Sequence, residues 1–252
     1  MSELREDGFL GGRLRITQPA HGYRSGADAV MLAAACPAEP GEAVLELGCG
    51  AGVASLCLGW RVPSVRLTGL ERQGDYAKLA RRNAAHNDVP LHVLTGELAT
   101  MPAELRQQSF DHVIANPPYF MTGTRAADAG RNLSRQEDTP LAEWIDTALR
   151  RLNPGGMMTI IQRADRLDAI VMALSGRAGA VTILPIAARK DREAGRIILT
   201  ARKGARTPLR LLAPFVMHGG DRHMRDGEDF SDAASAVLRE GASMVQYFAK
   251  DS

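Results

Sequence analysis

Short apolar runs recur through the middle of the chain: AVLEL at 43–47, VRLTGL at 65–70, LHVL at 91–94, FDHVIA at 110–115, GMMTII at 156–161, VTILP at 181–185 and RIILTA at 196–201. Runs of this length, rich in Val, Ile and Leu, read as strands covered on both faces. Helical patterns separate most of them, at 75–86, 141–152 and 165–175. Strand and helix in alternation predict an α/β fold with a doubly wound, mostly parallel sheet of seven strands. Ahead of it, residues 9–17 read as a hairpin turning at Gly11-Gly12, and 26–35 as a helix. After it, 209–217 read as one more strand and 231–239 as a terminal helix. The expected division is a hairpin and helix, 1–40, packed on a core domain, 41–252. One stretch breaks the rhythm: 120–140 is small and polar without either period, and loops that long are usually functional.

Composition narrows the class. With 45% hydrophobic and 24% charged residues, the 252-residue chain can build a sizeable core. No apolar run reaches the roughly 18 residues of a membrane span, and MSELREDGF does not read as a signal peptide. A cytoplasmic protein without a membrane partner is expected. Net charge is +2, so a nucleic-acid partner would need a local basic face. Cys36, Cys49 and Cys57 form no CxxC pair and are expected to be reduced thiols. The histidines have no metal-ligand spacing, and no metal is expected.

The first apolar run leads straight into glycines, AVLELGCGAG, with Gly48, Gly50 and Gly52 at alternate positions. Glycine serves where a backbone turns sharply and approaches a ligand, because a Cβ would clash. A tight strand–helix turn with no ligand leaves the same trace. The second run ends in Glu71, and an acid there can accept both hydroxyls of a ribose. The NAD form of this turn wants glycine at the sixth place, where Val53 stands, so NAD is disfavoured.

The fourth run ends in Asn116-Pro117-Pro118-Tyr119. Two prolines fix φ and remove two N–H donors, so carbonyls are left to face a pocket. A ring-conjugated amine is a poor nucleophile. An amide oxygen from Asn116 and the Pro117 carbonyl could each accept one of its N–H groups and draw its lone pair out of the ring. Tyr119 offers a face on which a base can stack. A Pro-rich strand terminator is the plain alternative.

ELGCGAG with a strand-end acid resembles the class I S-adenosylmethionine (SAM) methyltransferases, a Rossmann-like family. The resemblance implies SAM as cofactor, with Glu46 near the methionine amino group, Gly48 and Gly50 behind methionine and ribose, and Glu71 on the ribose. It implies Glu97 and Leu98, after the third run, at the adenine; Glu97 also reads as a solvated turn residue. The tetrapeptide is shared by methyltransferases acting on adenine N6, guanine N2, cytosine N4 and protein glutamine N5. Residues 16–32, ITQPAHGYRSGADAVML, resemble the N-terminal motif of bacterial tRNA adenine-N6 methyltransferases, as do RKDREAGRIILTARKG at 189–204 and the segment around 230–239. This implies RNA, tRNA in particular, as partner, and Arg24, Gly26 and Asp28 at the cofactor. Ser25-x-x-Asp28 also reads as a helix cap. Arg125, Arg131 and Arg135 in the long loop, and Lys190 and Arg192 before the last run, are candidates for phosphates; a solvated charged surface is the alternative for each. Methyl acceptors of other kinds, and a SAM- or RNA-binding scaffold without catalysis, stay open at this level, as does the oligomeric state.

Overall fold

A computed structural model of the protein describes residues 3–118, 139–220 and 229–249. Strands β1 (Leu4–Phe9) and β2 (Leu14–Pro19) form an antiparallel hairpin, and helix α1 (Ala27–Ala35) follows. Then come β3 (Ala43–Leu47), α2 (Val53–Arg61), β4 (Arg66–Glu71), α3 (Gly74–His86), β5 (Leu91–Thr95), the short α4 (Ala103–Arg106) and β6 (Phe110–Ala115). The second half runs α5 (Leu141–Arg151), β7 (Leu152–Arg163), α6 (Leu167–Leu174), β8 (Ala178–Ala187), β9 (Ala194–Lys203), β10 (Arg210–Leu211), β11 (Phe215–Val216), α7 (Asp232–Glu240) and α8 (Val245–Phe248).

The main sheet has nine strands in the order β10-β8-β9-β7-β6-β3-β4-β5, with β11 also beside β8. Only β9 runs antiparallel to its neighbours. The seven expected strands are β3 to β9. The single strand expected at 209–217 is instead two short ones, β10 and β11, each parallel to β8. Pro214 lies between them and has no N–H to give the ladder.

Strand alternation splits the apolar side chains into two layers. Val44, Ile114, Ile161, Leu184 and Ile198 face α1, α2 and α7. Leu45, Val113, Ile160, Ile183 and Leu199 face α5 and α6. Leu10, Leu14 and Ile16 of the hairpin are buried in the first layer, so the N-terminal segment shares the core. Buried Asn83 of α3 fixes the hairpin's position: it exchanges hydrogen bonds with the Thr17 backbone at 2.9 and 3.0 Å, and donates to Ala51 O at 2.9 Å. Cys36, Cys49 and Cys57 are buried and form no disulfide. Among the described residues no helix is long and apolar enough to cross a membrane, and no cluster of His, Cys, Asp and Glu could hold a metal.

Candidate active site

Register brings the strand ends together. Leu47 is opposite both Leu70 and Ala115, and Glu71 is opposite Thr95. The turns after β3, β4, β5 and β6 therefore leave the sheet along one edge. The chain passes from β3 outward through β4 and β5, then returns to lay β6 on the other side of β3. Gly48 and Asn116 thus leave adjacent strands at the point where the order reverses, where open α/β sheets form their ligand crevice.

The turn after β3 uses its glycines for backbone conformation. Gly48, Gly50 and Gly52 have φ of +65°, +53° and +88°, a region that L side chains avoid. Gly48 is also crowded, since a Cβ there would stand 2.5 Å from a ring carbon of Trp144. Two buried acids hold this turn. Glu71 accepts the Gly50 N–H at 2.9 Å on one oxygen and the Gln73 N–H at 2.8 Å on the other. A carboxylate has about four acceptor positions, so each oxygen keeps one. Glu46 accepts the Ser55 N–H at 2.8 Å and the Ser55 hydroxyl on the same oxygen. Burial pushes the Glu46 carboxyl up to about 8; the Ser55 bonds oppose the rise, and the charge of Glu71 adds to it.

The loop before α1 lies over this turn. The Tyr23 ring stands 3.8 Å from where a Gly50 Cβ would be, and the Tyr76 hydroxyl donates to Tyr23 O at 2.8 Å. Buried Gln18 accepts the Ser25 N–H at 2.9 Å and donates to Ser25 O at 3.2 Å and Asp7 at 3.0 Å. Asp7 in turn holds Arg24 at 2.5 Å. The cap reading of Ser25 is corrected: Gly26 is the N-cap residue of α1 and no side chain caps it, because the Ser25 backbone is drawn into the Gln18 bonds. Asp28 lies in the first turn of α1 and pairs with Arg196 of β9 at 3.2 Å.

The remaining candidates are spread along the same edge. Glu97 is exposed, and Leu98 is half-buried against the α5–α6 layer. Asn116 is half-buried, Pro117 buried and Pro118 exposed. Tyr119, Arg125, Arg131 and Arg135 lie outside the described residues. Lys190 and Arg192 are exposed on the β8–β9 turn, which the parallel run of β8 with β7 puts at the same end of the sheet. Neighbouring Arg189 is engaged, bonding Gly219 O and Gly220 O at 2.9 Å each and Asp229 at 2.5 Å.

Sequence reasoning missed the polar residues that hold the site: Gln18, Ser55, Asn83 and Gln162. It also missed Trp144, packed on Gly48, whose buried indole N–H has no partner among the described residues. Of these, only Ser55 itself lies within a few residues of the glycine turn in sequence.

A mostly parallel sheet with its order reversed beside a left-handed glycine turn, and with an acid closing the next strand, defines the class: a Rossmann-like methyltransferase using SAM as methyl donor. The chain belongs to the methyltransferase small domain family, whose family model matches residues 26–181. It is 32% identical over 170 residues to a tRNA1(Val) (adenine(37)-N6)-methyltransferase of Porphyromonas gingivalis, covering 64% of this chain and 67% of that relative. A protein of the same name from Aeromonas hydrophila is 26% identical over 203 residues, 79% of this chain and 85% of the relative. Among solved structures, a predicted O-methyltransferase from Agrobacterium tumefaciens superposes with a TM-score of 0.69 at 27% identity, covering 86% of this chain and 97% of that one.

Proposed function

We propose that the protein transfers a methyl group from SAM to the exocyclic N6 of an adenine in RNA, with a tRNA anticodon-loop adenosine as the acceptor. The observation that carries this reading is the adjacency, across the switch point, of the glycine turn and Asn116-Pro117-Pro118. The names of the relatives support adenine and tRNA over other amines.

The residues fit the cofactor. The glycine turn presents backbone without Cβ atoms, which suits close approach by a nucleoside. Glu71 is fixed by two backbone N–H groups and retains acceptor capacity for ribose hydroxyls. Among the described residues no basic group acts on the buried Glu46 carboxyl, and an α-ammonium would supply a cation. Arg24, Gly26 and Asp28 belong to the loop and helix start that cover this turn, with Glu97 and Leu98 after β5 toward the adenine.

SAM, when bound, supplies a methyl on a sulfonium. The chain's part is to aim the acceptor. The Asn116 side-chain oxygen and the Pro117 carbonyl each take an N–H of the adenine amino group, turning its lone pair out of conjugation. Acceptors fixed in advance need no reorganisation as charge develops, and orientation adds to their effect. Tyr119 stacks on the base. Lys190 and Arg192 at the rim, with Arg125, Arg131 and Arg135 of the long loop, meet phosphates.

Labelled methyl transfer from SAM into RNA and protein from cells lacking the enzyme tests the reading. Label in RNA is expected, in the tRNA fraction. Label in protein alone would overturn it.

A further inference from the structure

We propose that Gln162 is a positioning residue for methyl transfer, holding the Pro117 carbonyl in the direction from which it accepts the substrate amine. This rests on the proposed role of Asn116 and Pro117.

The parallel ladder between β6 and β7 pairs Ala115 with Ile160 as its last register partners. Two residues further on, the same register puts Pro117 level with Gln162. At Pro117 and Pro118 the backbone has no N–H to donate, and the ladder stops. Gln162 continues it with a side chain: its Nε2 donates to Pro117 O at 3.3 Å, and both residues are buried. The amide is itself oriented, because its Oε1 accepts the Arg163 N–H at 2.8 Å. With that bond made, only the NH2 end can face Pro117.

A carbonyl oxygen has two lone pairs. Gln162 occupies one and leaves the other for the acceptor amine. At 3.3 Å the bond is slightly longer than the ordinary range, so its chief effect is on the position of the carbonyl. Position is what the chemistry needs. Asn116 offers its acceptor on a side chain, whereas the Pro117 oxygen moves only with the backbone. A buried, oriented donor gives that backbone one resting place. It also accounts for a buried glutamine near the end of a strand whose neighbours toward its centre, Ile160 and Ile161, are apolar.

Gln162→Met keeps the length and packing of the side chain but removes the donor to Pro117 O and, with it, the acceptor of the Arg163 N–H. With SAM and RNA from cells lacking the enzyme, kcat is expected to fall roughly tenfold, the effect of one net hydrogen bond. The KM for RNA and the SAM dissociation constant should stay within error of the parent, while the two backbone groups left unpaired lower the melting temperature by a few degrees. A merely structural role would move SAM affinity along with the rate. Unchanged kcat, or a fall in kcat matched by a fall in SAM affinity, overturns the proposal. Should Gln162→Met fail to fold, Gln162→Asn withdraws the amide by one methylene and carries the same expectation. Asn116→Ala, measured alongside, separates the two levels. If it keeps full turnover, the reading of the tetrapeptide falls and takes this proposal with it; if it is slow while Gln162→Met is fast, the positioning role alone falls.

Discussion

Glu46 shows how burial sets the terms for a ligand. With its carboxyl pushed up to about 8, it is mostly protonated at pH 6.5 and must lose that proton to hold an ammonium. SAM affinity is therefore expected to rise about tenfold per pH unit from 6 toward 7.5. Above roughly pH 8 it should fall again, as an α-amino group itself loses its proton near 7.7–8.0. Calorimetry across that range checks this, and a flat profile would contradict the placement of Glu46. The same shift bears on stability. The carboxyl's folded-state value lies above its ordinary 4.5, so the folded state holds the proton more tightly than the unfolded chain. Stability of the free protein should then decline as pH rises from about 4.5 to about 8, and this decline should be absent in Glu46→Gln. Asn116 tests the chemistry itself. Removing one preorganised oxyanion-hole donor costs about 3 kcal/mol in other enzymes; by analogy, Asn116→Ala should turn over on the order of a hundredfold more slowly with SAM affinity unchanged. Near-parental turnover would make the tetrapeptide a strand terminator and nothing more.

At the scale of elements, what was legible in the sequence is what is local. Strands 43–47 and 110–115 match β3 and β6 residue for residue, because a short apolar run closed by Gly or Pro announces both its burial and its end. The glycine turn was legible for the same reason, as alternate glycines impose their own conformation. The four-residue helices α4 and α8 were not, since one turn carries no periodicity. Polar clamps were not legible either. Gln162 is 45 residues from Pro117, and Asn83 is 66 from Thr17; nothing local marks a glutamine or asparagine whose partner comes from another element. The Ser25 cap failed on the same point, because Gln18 of β2 claims the Ser25 backbone. That clamp makes the hairpin part of the site. Gln18→Leu would leave Ser25 without its two partners and free the loop bearing Arg24 and Gly26. SAM affinity is expected to drop roughly tenfold, in line with about 1–3 kcal/mol for buried groups left unpaired, while the circular dichroism of the sheet persists. Unchanged affinity would detach the hairpin from the cofactor.

For the molecule as a whole, the sheet puts three separate stretches of sequence on one edge: the glycine turn, the Asn-Pro-Pro turn and the β8–β9 turn. Fold and cofactor class follow from the first two. The third carries exposed Lys190 and Arg192 beside exposed Asp191 and Glu193, in a chain whose net charge is only +2. An adenine in an anticodon loop suits this arrangement, because an unpaired base costs little to splay into a pocket while its phosphates stay at the rim. The substrate is the claim on which the account turns, and one measurement reaches it directly. Unmodified tRNA transcripts are incubated with the protein and SAM, digested to nucleosides and read by mass spectrometry. The account predicts N6-methyladenosine, mapped to the anticodon loop. N2-methylguanosine, a 2′-O-methylated nucleoside or unmodified tRNA would contradict it.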